Sequence, residues 1–198
     1  MTPAILLLAR RAAFAGERML MVGIAVGTAM SALTAVVLAT GDPRLAGLLT
    51  WLAGSTYAVT GGEAGLAGGL AAVLLLATLL AARWLTILPL GAVTAQALGL
   101  RLPRVRLLLL LLAAAQTAAA TLLVGPMSFV GLLAPHAARM LGLRRTAPQL
   151  VGATLLGMLV MVAGDWLGRN LIFPYQIPAG LMASLVGGIY LMLLLLRR

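Results

Sequence analysis

The sequence predicts an all-α integral membrane protein: a polytopic helical bundle of about six transmembrane helices preceded by an N-terminal stub. Three observations carry that expectation. Of 198 residues, 63% are hydrophobic and only 9% are charged, where an ordinary soluble domain has roughly a quarter of its residues charged. Mean hydropathy is +1.12, and a soluble fold of this composition would lack polar groups to cover its surface. The apolar residues also come in runs close to the roughly 20 needed for a helix to cross the hydrocarbon.

The elements follow in order. Met1–Ala9 is a short apolar stub followed by Arg10 and Arg11. A secretory signal carries its positive charges before the apolar run. The stub is therefore either a frayed lead-in or the tail of a spanning helix whose beginning is missing. Met19–Ala39 is the first full candidate span, with Gly23, Gly27 and Ser31 at four-residue spacing on one face. Small residues at that spacing let a second helix approach closely or line a pathway.

Gly41–Glu63 is a break opened by Gly-Asp-Pro and closed by Gly61-Gly62, with a short interfacial helix expected over Leu45–Leu52. Trp51 and Tyr57 suit headgroup level. Ala64–Ala82 is the second span, with the close-packing pair Gly65 and Gly69. Leu85–Arg106 then interrupts the hydropathy pattern with Pro89, Pro103, Gly91, Gly99 and three arginines. Basic, partly amphipathic and in mid-chain, it reads as a docking loop for a soluble partner on the inner face of a membrane. Leu107–Val124, the short Met127–Leu143, Leu150–Leu167 and Ala179–Leu196 complete the spans, with a loop over Asn170–Pro178.

The charges give this layout a direction. All fourteen basic residues are arginine, and net charge is +10. They are scattered between apolar runs with no aromatic-interleaved patch, which argues against nucleic acid. If the segments alternate and the C-terminus is cytoplasmic, only Arg44 and Arg169 fall outside, and the other twelve fall inside. The count requires Met127–Leu143 to cross. If that segment re-entered instead, most of the asymmetry would vanish.

Several chemistries are absent from the pattern. There is no lysine, so no GxxxxGK[ST] phosphate loop. Cysteine is also absent, and the single histidine, His136, has no ligand partners near it in sequence. His136 is expected to be a structural hydrogen-bonding group. No catalytic residues, metal ligands or cofactor are expected. Asp165 and Arg169 form an i,i+4 pair with the acid N-terminal, the favourable order on a helix. No acid sits mid-span to couple a cation, which argues against a secondary transporter.

The run GPMSFVGLLAPHAARMLG, Gly125–Gly142, resembles the signature of the binding-protein-dependent ABC permeases that import iron–siderophores and cobalamin. The matching residues include Gly125, Pro126, Phe129, Gly131, Pro135, His136 and Arg139. WLAGSTYAVT, RWLTILPLG, GDWLGR and FPYQIPAG are most similar to the iron(III)-hydroxamate (ferrichrome-type) branch. The resemblance implies a permease unit of about ten helices, paired with a second permease unit. It also implies an ABC ATPase on the cytoplasmic face and a periplasmic siderophore-binding protein on the outer face.

This chain matches the second half of one such unit. A truncated gene, a split gene and a mis-called start remain open, as does a non-transporting remnant that packs on another membrane subunit. The whole chain, 1–198, is read as one permease domain in the inner membrane, with 85–106 as its cytoplasmic coupling loop. By resemblance Leu90, Gly91, Thr94, Ala95, Leu98, Gly99 and Leu100 match the short helices that the ATPase grips. Arg169, with a weaker match at Arg44, matches positions that meet acidic residues of the binding protein. Gly23, Gly27, Ser31 and Gly180 match small pathway or packing residues.

Overall fold

The structure, a computed structural model, describes residues 16–57, 59–171 and 175–196. The stub Met1–Ala9, with Arg10, Arg11, Phe173, Pro174, Arg197 and Arg198, lies outside the described residues. Nearly all the described chain is helical. It divides into two compact units, Met1–Leu48 and Leu49–Arg198.

The first unit is built on α1, Gly16–Leu38. Its threonines bond within the helix: Thr28 Oγ1 donates to Ile24 O at 3.0 Å and Thr34 Oγ1 to Met30 O at 2.9 Å. A polar side chain that bonds its own backbone costs little in an apolar surrounding. Gly23, Gly27 and Ser31 lie along this helix. After a 3-10 turn over Pro43–Leu45 comes α2, Ala46–Leu52, the short helix expected there, which begins in the first unit and ends in the second.

The second unit holds α3 (Gly61–Leu80), α4 (Ala82–Ile87), α5 (Ala92–Ala97), α6 (Leu102–Val124), α7 (Val130–Met140), α8 (Thr146–Asn170) and α9 (Ala179–Leu196). Four helices, α1, α3, α6 and α8, are long and apolar enough to cross a membrane, and α9 is a shorter apolar helix. Three helices begin earlier than hydropathy indicates, because polar residues and prolines build their first turns. Thr60 caps α3 through a capping box with Glu63, so the helix starts at Gly61. Pro103 and Pro148 sit in the first turns of α6 and α8, where the missing N–H costs nothing.

The packing of this unit rests on small residues. α8 carries two glycine pairs facing different neighbours. Gly152 and Gly157 meet Ala138 and Ala134 of α7, and Gly164 and Gly168 meet the backbone around Ile177 and Ala179 at the start of α9. Ala134, Ala138, Ala179 and Ala183 are buried. Without water to drive helices together, close approach through small residues and polar links across the seam carry the association. One such link is Gln116 on α6, whose Nε2 donates to Thr78 Oγ1 of α3 at 2.7 Å.

These contacts define two ends. At one, the Gly54 end, lie the C-terminal ends of α2, α6 and α8 and the start of α9. Gly180 N donates to Gly54 O at 2.7 Å, and a side chain on Gly125 would strike the carbonyl of Trp51. At the other, the Thr86 end, lie α4, α5, the start of α6, the end of α7 and the start of α8. There Thr86 Oγ1 and Thr146 Oγ1 share a hydrogen bond of 2.7 Å, and Leu143 packs on Gly152.

The expectation that Met127–Leu143 forms a helical span needs correction. Its helix covers only Val130–Met140, 11 residues, or about 16 Å at 1.5 Å per residue, half of a hydrocarbon core of about 30 Å. Yet the segment does run from one end of the unit to the other. Gly125 sits at the Gly54 end and Leu143 at the Thr86 end. Gly125–Phe129 makes the rest of the distance as a non-helical run, whose five residues reach at most about 17 Å. The joint is Phe129, the one described non-glycine residue with positive φ, at 68°. It packs on α9 at Gly187, where a Cβ would lie 2.6 Å from Phe129 Cβ. This composite segment and α9 stand where the sequence predicts the remaining two of its six spans, beside the four long apolar helices.

Candidate functional site

The Thr86 end is built from a chain that turns repeatedly and leaves apolar side chains uncovered. α3 gives way to α4, a 3-10 turn over Leu88–Leu90 and the short α5. Gly91, at φ 100°, turns the chain into α5, and its carbonyl accepts from Ala95 N at 3.0 Å. At the far side Leu100 N donates to Ala95 O at 3.0 Å and Gly99 N to Gln96 O at 2.9 Å, closing the helix.

Ala95 is the buried foot of this element, whereas Leu90, Val93 and Leu98 are exposed, Val93 by 83%. Thr94 and Gly99 are exposed and Leu100 is half-buried. Arg83, Arg101, Arg104 and Arg106 flank it, and Arg139, Arg144 and Arg145 lie at the neighbouring end of α7 and start of α8, all exposed. The structure thus gathers all the expected coupling residues into one projecting element. Val93, its most exposed apolar residue, stands between Gly91 and Thr94 without distinction in the sequence pattern.

The Gly54 end is polar and tied. Arg169 Nε donates to Asp165 Oδ2 at 2.8 Å, so the expected i,i+4 pair forms. The other oxygen, Asp165 Oδ1, accepts from Thr56 Oγ1 in the turn after α2. The Arg169 guanidinium carbon stands 6.0 Å from the centroid of the Tyr57 ring, at the edge of cation–π range. Asp165 and Arg169 side chains are 30% and 44% exposed. A small cavity of about 70 Å³ opens among Thr56, Tyr57, Asp165, Arg169 and Gln176. Thr56 is 109 residues from Asp165, too far for any local spacing rule to join them. The side chain of Arg44 lies outside the described set.

The signature residues divide between packing and polar contact. Gly125 and Phe129 shape the entry to α7, and Pro135 lies inside that helix. His136 Nδ1 shares a hydrogen bond of 2.7 Å with the Tyr190 hydroxyl of α9, which in turn donates to Met140 Sδ at 3.2 Å. His136 is therefore a hydrogen-bonding link between α7 and α9. Gly131 is exposed, and Arg139 occupies the last turn of α7, where a cation suits the helix dipole. Gly180 meets Ala53 O and Gly54 as a backbone-contact residue. Among the described residues no group of three or more His, Cys, Asp or Glu could hold a metal ion.

The fold matches a solved metal-chelate type ABC transporter in an inward-facing conformation, with a TM-score of 0.90 over 99% of this chain and 63% of that one, at 22% identity. Residues 1–197 match the FecCD transport family. The chain belongs to that family. Among FecCD relatives, the iron(3+)-hydroxamate import system permease protein FhuB of Salmonella typhimurium is 50% identical over 191 residues, 96% of this chain and 28% of its own length. FhuB of Escherichia coli K12 is 49% identical over the same share of this chain and 29% of its own length. The ferric enterobactin permease FepG of E. coli is 39% identical over 74% of this chain and 44% of its own length. This FecCD chain thus spans under a third of the FhuB proteins and under half of FepG.

Proposed function

We propose that the chain is a permease component of an ABC importer that moves an iron(III)-hydroxamate siderophore across the inner membrane, with a separate ATPase supplying the energy. The observation that carries this reading is the 50% identity to a hydroxamate permease across 96% of the chain, against 39% over 74% for an enterobactin permease.

The geometry supports distinct roles for the two ends. The projecting element Leu90–Leu100 suits an ATPase surface on the cytoplasmic face, because it offers uncovered apolar side chains amid arginines. All the described arginines of the second unit except Arg169 lie at that end, which favours placing it inside. Tyr190 of α9 reaches Met140 near the end of α7, so α9 runs toward the same end, consistent with a cytoplasmic C-terminus. The Gly54 end is then periplasmic, and Arg169 meets an acidic binding protein there. α8, 25 residues long, or about 37 Å, joins the two ends as one continuous helix. Thr86–Thr146 ties it to the coupling segment. ATP binding would push on α5 and α4 and so on α8, shifting the bundle between two arrangements.

The test is reconstitution with the cognate ATPase and binding protein. Replacing Gly91–Gly99 with a flexible Gly/Ser linker abolishes ATPase co-purification and uptake of radio-iron ferrichrome; retained ATPase association rejects the docking role. Uptake of a ferric catecholate in preference to ferrichrome by the unmodified chain rejects the substrate class.

A further inference from the structure

The contacts around Arg169 say more than that an arginine lies at the Gly54 end. Its guanidinium is held through Nε, which donates to Asp165 Oδ2 at 2.8 Å. Among the described residues no hydrogen bond occupies its two Nη groups, and the side chain is 44% exposed. The carboxylate is itself fixed from both sides, with Oδ2 taken by Arg169 and Oδ1 by Thr56 from a separate element. The Tyr57 ring stands 6.0 Å from the guanidinium carbon. An arginine left free on a helix end samples many rotamers, and binding has to freeze them. Here the ion pair fixes the guanidinium by the nitrogen nearest the stem. The outer edge, Nη1 and Nη2, stays able to pair with a carboxylate through two parallel hydrogen bonds.

We propose that Asp165, braced by Thr56, is a positioning residue that presents the Nη1/Nη2 edge of Arg169 to a carboxylate of the acidic docking partner. The inference rests on the reading of Arg169 as a docking residue. It assigns Asp165 the opposite role from a rival counter-ion: the acid strengthens docking although its own charge repels the partner. Orientation outweighs repulsion because Asp165 engages Nε and leaves the outer edge open.

A double-mutant cycle on the assembled transporter in detergent or nanodiscs tests this, reading affinity for the cognate binding protein. Asp165→Ala weakens binding by about 3- to 10-fold when Arg169 is present and by less than about 2-fold in the Arg169→Ala background. Asp165→Asn, which keeps an acceptor for Nε, restores affinity to within about 2-fold of the parent. Thr56→Val, which frees Oδ1, weakens binding in the same direction and to a smaller extent. Equal weakening by Asp165→Ala in both backgrounds overturns the proposal in favour of a structural role. Unchanged or tighter binding by Asp165→Ala makes Asp165 a bystander or a rival and overturns it too. If Arg169→Ala alone leaves affinity unchanged, the docking reading itself fails and this inference falls with it.

Discussion

Glycine does opposite work at the Gly54 end and in the projecting element of the Thr86 end. At the Gly54 end it removes side chains so that backbones touch: Gly180 donates to Gly54 O at 2.7 Å, and a Cβ on Gly180 would lie 2.6 Å from Ala53 O. At the Thr86 end Gly91 and Gly99 have nothing within 4 Å of where a Cβ would stand, and they serve only to turn the chain. The polar groups differ in the same way. Thr56, Asp165 and Arg169 form a connected set, whereas the projecting element offers exposed Leu90, Val93 and Leu98. One end is held fixed around a partly exposed charge pair. The other projects uncovered apolar side chains.

Substitutions that treat both ends alike separate these roles. The largest effect is expected at Gly125, where φ is 83° and a Cβ would strike the Trp51 carbonyl. Gly125→Val should cost about 2–5 kcal/mol, from strain and overpacking together, and lower the thermal transition of the purified protein sharply. Gly91→Ala meets no neighbour and should cost about 1–3 kcal/mol, from its positive φ alone. A similar loss at both positions would mean that the Thr86 end is as tightly packed as the Gly54 end. A smaller effect is expected between the ends. Gln116→Leu removes the link to Thr78 and should cost about 0.6–1.7 kcal/mol, read by the same transition.

Much of this was legible in the sequence, and what was missed has physical reasons. Apolar runs located α1, α3, α6, α8 and α9, because burial in lipid demands such runs. Hydropathy places the helix starts at Gly61, Leu102 and Thr146 too late, because first turns tolerate the prolines, threonines and arginines that hydropathy counts as loop. The pair Asp165–Arg169 followed from its spacing, but the Thr56 brace did not, since it depends on the tertiary path of the chain. The arginine count predicts a crossing at Met127–Leu143. Its half-helical form did not follow from composition, because it turns on the left-handed backbone of Phe129 against Gly187. The seam along α8 carried a readable signal in Gly164 and Gly168, spaced by four like the pairs on α1 and α3.

The central claim is that the two ends recognise different partners by different physics. The most direct test measures both affinities, as a function of salt, in two variants of the reconstituted importer. Arg169→Glu should weaken the binding protein by roughly tenfold or more at low salt and flatten its salt dependence, leaving ATPase affinity unchanged. Val93→Asp with Leu98→Asp should weaken the ATPase by at least about tenfold and leave the binding protein unchanged. If either variant weakens both partners equally, or Arg169→Glu leaves the binding protein's affinity and salt dependence intact, the division of roles between the two ends is contradicted.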